Sequence, residues 1–327
     1  MATSATTAEG AGLSWGPRAL LRRMRSGDEI AHLITFLFAG SIIFLTAWLV
    51  LELWVNSSLP RHQFGFAFFI TRIWDPVAGN FGAATFIYGT VITSVVALLI
   101  AIPLGVGAAI FLAELAPPKI SDALAFLIEL LAAVPSVIYG LLGIFILVPL
   151  MRSYVQPFLK STLGFLPLFQ GPAYGVGFLT AGIVLAVMIV PFIISVSREV
   201  LLTVPADQRE AALSLGATRW EATWKAVIPY ARVGIFGSIF LALARALGET
   251  MAVTMVIGNT PQISASLFAP GYSIAAVIAN EFTEATSDLY LQSLIELGLV
   301  LFFITFLLNG LARILIVLTS RKGAQHE

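Results

Sequence analysis

Six apolar stretches of membrane-crossing length dominate this 327-residue chain, at about residues 30–55, 86–113, 123–150, 176–196, 233–258 and 289–318. A helix needs about 20 mostly apolar residues to cross a hydrocarbon layer roughly 30 Å thick. Inside that layer no water bonds to the backbone, so each stretch must close its hydrogen bonds internally. The expected fold class is therefore all-α, a polytopic membrane protein with about six transmembrane helices. Composition agrees, with 58% hydrophobic and 11% charged residues where soluble domains average about 45–50% and about 25%. Pro103, Pro135 and Pro191 fall inside these stretches, which spanning helices tolerate because neighbours take up the freed backbone groups.

The first stretch follows a cationic segment, RALLRRMR at 18–25. A signal peptide has an apolar region of about 7–15 residues before its cleavage site. This stretch runs past that length into ELWVNSS, so it reads as a retained first helix.

Charge placement sets an expected orientation. Arg18, Arg22, Arg23 and Arg25 precede the first span, Lys119 lies between the second and third, and Arg198, Arg209, Arg219, Lys225 and Arg232 lie between the fourth and fifth; Arg313, Arg321 and Lys322 close the chain. That puts thirteen of eighteen Lys and Arg on one side, against Arg61, Arg72, Arg152 and Lys160 on the other, with Arg245 inside the fifth span. Both termini are expected to be cytoplasmic, and the loop 259–288, acidic at Glu281, Glu284 and Asp288, to be an outer one. The eighteen Asp and Glu balance the eighteen Lys and Arg, so no overall basic field exists to recruit nucleic acid. There is no cysteine, and His32, His62 and His326 stand far apart, which leaves no thiolate site or histidine-built metal spacing.

The longest inward-facing segment between spans is residues 203–232, TVPADQREAALSLGATRWEATWKAVIPYAR. Its pattern predicts two short helices. Pro205 suits a first turn, Ala206, Ala211, Ala212 and Leu215 make a small-residue face, and Gly216 sits where a helix ends in the left-handed conformation. A second helix from about Thr218 sets Trp220, Trp224 and Val227 at i, i+4 and i+7, and Pro229 is expected to stop it. The plain alternative is a solvated helical connection.

The string EAALSLG at 210–216, with Pro229 thirteen residues on, resembles the EAA motif of ATP-binding-cassette importer permeases. Glu210, Ala211, Ala212, Gly216 and Pro229 match; Ala226 and Ile228 replace the usual Ile and Leu. The resemblance implies the type I (MetI-like) permease fold and a helix that seats in a groove of a separate ATPase, where small residues allow close approach. No GxxxxGK[ST] phosphate loop occurs, since none of Lys119, Lys160, Lys225 and Lys322 follows a glycine; ATP is then expected on the partner ATPase, and no cofactor or metal in this chain.

The fifth stretch carries RALGETMAVTMVIGN at 245–259. Arg245 and Glu249, four apart, are expected to share a helix face. A charge in lipid costs several kcal/mol by most estimates, so such residues turn inward and are usually functional; a salt bridge that only locks packing is the other reading. Glu129 and Glu296 are further candidate partners for Arg245.

That string, with VPSVIYGL at 134–141 and VIANEFTEA at 277–285, resembles the C-type permeases of bacterial high-affinity phosphate importers, over about residues 30–322. The resemblance implies a subunit that carries phosphate, with Arg245 and Glu249 in the path. It also implies the family's partners: an A-type sister permease, two ATPase copies, an extracytoplasmic phosphate-binding protein, and membrane lipid around the spans. A guanidinium suits a phosphate anion through planar, permanently charged donors. The domain plan expected is a tail at 1–29, a first helix and outer loop at 30–84, a transporter core at 85–318 with the coupling loop 203–232, and a tail at 319–327. Rival readings are a permease for phosphonate, molybdate or sulfate, an ATP-independent channel or secondary transporter, or a membrane enzyme, for which no HExxH or GxSxG is present.

Overall fold

The computed structural model describes residues 28–323. The N-terminal tail with Arg18, Arg22, Arg23 and Arg25, His326, and the side chains of Arg321 and Lys322 lie outside what is described. The chain forms two units, divided between Val55 and Asn56. Among its described residues the first contains one helix, α1 (Asp28–Val55), most of whose apolar side chains from Leu33 onward are exposed. A surface of that kind is compatible with lipid and costly in water.

The second unit holds the other helices: α2 (Ser58–Phe64), α3 (Ala67–Ile70), α4 (Ala84–Leu115), α5 (Pro118–Ala132), α6 (Ser136–Leu163), α7 (Phe178–Leu202), α8 (Ala206–Ser214), α9 (Arg219–Leu247), α10 (Met251–Ile257), α11 (Ile274–Glu281) and α12 (Asp288–Gly323). Together with α1, helices α4, α6, α7, α9 and α12 supply six candidate spans among the described residues. No strand is formed there beyond a single bridge between Asp75 and Asn80.

α7 is the axis of this unit. Its Phe178, Leu185, Ile189 and Ile193 are fully buried in a core shared with α4, α6, α9 and α10. Lipid tails are as apolar as leucine, so helices here are held by van der Waals fit, which small residues at the contact improve. The α4/α7 seam uses them in both directions: a Cβ at Gly182 would lie 2.4 Å from Val96 Cγ1, and one at Gly105 2.7 Å from Ile193 Cγ2. Gly234 brings α9 equally close to Val200 of α7.

Two expected spans are drawn differently by the structure. The third is not one helix over 123–150: α5 stops at Ala132 and α6 begins at Ser136. Pro135 has no N–H and pushes the preceding residue out of helical geometry. The carbonyl of Leu131, freed by the break, accepts from the Tyr139 hydroxyl at 2.7 Å. The fifth is not one helix over 233–258 either, because α9 ends at Leu247 and α10 starts at Met251 after Gly248. α10 then ends, as the sequence suggests, on Gly258 at φ +95°.

Pro229 does not stop the second helix of the 203–232 segment, contrary to expectation. α9 runs from Arg219 through Pro229 into the membrane stretch, with a wider π turn over Thr223–Val227 just before the proline. Such a turn makes room for a residue that lacks the donor and would clash with the carbonyl one turn back. The added residue also rotates Val227 off the face of Trp220 and Trp224: Val227 is fully buried, while the two indoles are exposed and meet edge to face at 5.5 Å.

The segment 259–288 is folded in rather than looped out. Phe268, Tyr272 and Ser273 are buried, Leu267 and Ala269 accept from the first residues of α7, and the Ile274 amide donates to Thr90 Oγ1 of α4 at 2.9 Å.

Tight seams of this kind tolerate no added volume. Gly182→Val is expected to destabilise by about 1–3 kcal/mol, as overpacked cores do, read as a lower thermal midpoint in detergent. Gly107→Ala, with nothing within 4 Å of its Cβ, should leave the midpoint in place; equal midpoints for the two would contradict this packing.

Candidate functional site

The 203–232 segment folds as an elbow. α8 begins after Pro205 and ends in a glycine turn: Gly216 adopts φ +86°, its N–H bonds the Leu213 carbonyl at 3.0 Å, and the Ala217 N–H reaches back to Ala212 at 3.2 Å. This is the Schellman arrangement, in which glycine enters the left-handed region cheaply and the last carbonyls find donors. α9 then opens with a reciprocal capping box between Thr218 and Glu221. Of the motif residues, Glu210, Ala211 and Gly216 are exposed, Ala212 is half-buried, and Pro229 is exposed on α9. Beside them Leu213 and Leu215 are also exposed, so α8 presents a mixed small and apolar face on the open side.

What fixes α8 in place was not evident from spacing. Arg209 grips Glu114, ninety-five residues earlier at the end of α4, with Nη2 at 2.6 Å from Oε1 and Nε at 3.0 Å from Oε2. Its remaining donors reach the end of α7 and the turn after it, Nη2 on the Leu201 carbonyl at 2.8 Å and Nη1 on the Val204 carbonyl at 2.6 Å. The Glu114 side chain is 8% exposed and that of Arg209 25%. The bond to Glu114 holds the Arg209 guanidinium above its ordinary range, burial acting against it. A guanidinium at a helix C-terminus is also favoured by the helix dipole. The one signal available in sequence was a carboxylate immediately after a span, in FLAELAPP.

The intramembrane charges are arranged otherwise than their spacing suggests. Arg245 is exposed near the end of α9, and among the described residues no hydrogen bond or ion pair engages its guanidinium. Glu249 does not share a helix face with it, because the helix has already ended at Leu247. Its Oε1 instead accepts from the Ala252 N–H at 3.2 Å, capping the start of α10. Neither Glu129 nor Glu296 serves Arg245: Glu129 is exposed on α5, and Glu296, almost fully buried in α12, faces Arg61 Nε of α2 at 3.7 Å.

The two helix breaks abut. A Cβ on Gly140, one turn into α6, would lie 2.4 Å from Met255 Sδ of α10, so the two short segments after the breaks pack directly together. The third motif, at 277–285, sits at the end of α11, where Glu281 Oε2 accepts from Trp74 Nε1 and Tyr290 Oη, each at 2.7 Å.

Comparison with known proteins agrees with this architecture. The family described as binding-protein-dependent transport system inner membrane component matches residues 101–321. The phosphate transport system permease protein PstC of Mesorhizobium japonicum is 49% identical over 311 residues, 94% of this chain and 95% of that one. Its namesake in Xylella fastidiosa is 47% identical over 306 residues, 92% and 94% of the two chains. A bacterial ABC transporter involved in the import of the acidic polysaccharide alginate superposes with a TM-score of 0.57 at 18% identity, over 89% of this chain and 98% of that one; at that identity the likeness concerns the fold. The chain is thus a multi-pass inner-membrane protein that belongs to the binding-protein-dependent transport system inner membrane components, within the family of the PstC permease proteins.

Proposed function

We propose that this chain is the permease subunit through which an ATP-driven importer moves inorganic phosphate across the inner membrane. The observation that carries this reading is the near-half identity, over more than nine-tenths of the chain, to permeases named for phosphate transport. Rival oxyanion permeases and ATP-independent channels have no comparable support.

A path needs a second permease, which in this reading is the A-type sister. Two copies of an ATPase bind and hydrolyse ATP on the cytoplasmic side, where both termini lie, and an extracytoplasmic phosphate-binding protein delivers the ion. Glu210, Ala211, Ala212, Gly216 and Pro229 form the elbow that seats on the ATPase. Its rigidity follows from the glycine turn and the capping box, which leave few free backbone groups between the two helices.

Arg245 and Glu249 belong to the path. The Arg245 guanidinium is exposed and, among the described residues, engaged by no hydrogen bond or ion pair, which leaves its donors for a phosphate oxygen. Glu249 is occupied in capping α10, and contributes by holding the broken segment beside Arg245 and by limiting net positive charge. Weak capture suits a conduit, since an ion held tightly would not leave. ATP binding and the docked binding protein shift the population between inward- and outward-facing states, and phosphate passes Arg245 as the path opens.

The complete complex in proteoliposomes should take up labelled phosphate only with ATP and binding protein, with phosphonate, molybdate and sulfate competing weakly. No phosphate uptake by the complex rejects the substrate, and uphill uptake by this chain alone rejects the ATP-driven mechanism. Arg245→Gln should leave assembly intact and lower uptake at least about tenfold, the scale of a lost charged hydrogen bond; normal uptake reduces Arg245 to a packing residue. Glu249→Gln keeps an acceptor for the Ala252 amide, whereas Glu249→Leu removes it. Leu should therefore destabilise the complex by about 0.5–2 kcal/mol, the worth of a helix cap, and Gln should not; equal thermal midpoints would show that Glu249 does not cap α10.

A further inference from the structure

We propose that the Arg209–Glu114 pair is the positioning link that delivers movement of the elbow to the membrane helices. The inference rests on the transport reading above and adds a residue pair that the EAA pattern does not contain.

α8 has only one covalent route into the membrane on its far side, through Gly216 into α9, which continues as a single helix into its span. On its near side the chain enters from α7 through Thr203–Pro205, a short non-helical joint. A joint of that kind bends and would absorb displacement of α8. Arg209 bridges it: the same guanidinium holds the Leu201 carbonyl at the end of α7, the Val204 carbonyl within the joint and, bidentately, the carboxylate at the end of α4.

Displacement of α8 therefore reaches α9 by chain continuity, α7 by the bond to Leu201 across the joint, and α4 by the ion pair. The geometry suits transmission. A bidentate fork fixes orientation as well as distance, and both side chains are mostly shielded from solvent, so the pair is less screened than a surface bridge. A second tie lies beside it. Arg198 of α7 reaches Ser121 Oγ of α5 at 3.3 Å, and that hydroxyl donates to the Leu112 carbonyl of α4 at 2.8 Å. The ends of α4, α5 and α7 thus move as one body with the clamp. Glu114 itself sits in a π turn, Phe111–Leu115, and α8 packs against the π turn of α9. Wide turns of this kind, frequent at functional sites, bracket the elbow on both sides.

The test compares the wild-type complex with complexes carrying Glu114→Gln, Arg209→Gln, both together, and Arg209→Lys, in proteoliposomes with ATP and the binding protein. The readout is phosphate moved per ATP hydrolysed. The ATPase should copurify at the wild-type ratio, while phosphate per ATP falls about 2- to 30-fold, the range for substitutions within coupling networks. The double variant should lose no more than either single one, because the pair acts as a unit. Arg209→Lys keeps charge at the end of α7 but not the fork, and should assemble normally yet couple poorly. It decides the matter if the glutamine variants fail to assemble. Wild-type phosphate per ATP in Arg209→Lys, additive losses in the double variant, or loss of the ATPase from an otherwise intact Arg209→Lys permease each overturn the proposal. A wild-type complex that moves no phosphate refutes the substrate reading instead.

Discussion

Hydrocarbon offers a backbone no hydrogen bonds, and most of this molecule can be understood as the consequence. At three places where the chain leaves helical geometry inside the second unit, a named group takes up what the helix would have satisfied. Tyr139 bonds the Leu131 carbonyl at the break made by Pro135, and Glu249 bonds the Ala252 amide where α10 restarts. Thr90 does the same for the folded-in segment that leads into α11. Irregular backbone survives at such depth only where protein or an aqueous cavity lines it, so each break marks a place where this chain has invested polar groups.

Two of those places lie in strings by which the chain resembles its relatives, and the third string closes α11. VPSVIYGL spans the α5/α6 break, RALGET the α9/α10 break, and VIANEFTEA the end of α11 with its carboxylate held by an indole and a phenol. The first two are in contact through Gly140 and Met255. A helix interior accepts many apolar sequences because van der Waals fit is its main demand. A break accepts few, since it requires a proline or glycine at one position and a matched donor or acceptor at another.

The charges divide by task along the same lines. Arg209, Glu114 and Arg198 secure the ends of helices near the elbow, Arg61 and Glu296 face each other between α2 and α12, and Arg245 alone among these stays exposed. A paired buried charge returns much of its desolvation cost. An arginine in a membrane-crossing stretch that no described residue engages carries its desolvation cost without compensation, which is what the proposed role in an ion path asks of it.

The sequence by itself determined the class of fold, the number of spans, the elbow with its glycine turn and capped second helix, and the resemblance to importer permeases, because length, hydropathy and local turn chemistry are readable within a few residues of one another. It also located Arg245, a charge where lipid forbids one. Only the tertiary structure decided how these parts engage. A four-residue spacing suggested that Arg245 and Glu249 pair, yet Gly248 ends the helix between them and frees Glu249 for a cap. Pro229 looked like a terminus, yet a π turn carries the helix through it. Glu114 and Arg209 lie ninety-five residues apart, and no local pattern joins them. Contacts at such separation exist only once α4 and α7 have packed side by side, and that packing is set by shape across the Gly182 and Gly105 seam, which hydropathy does not record.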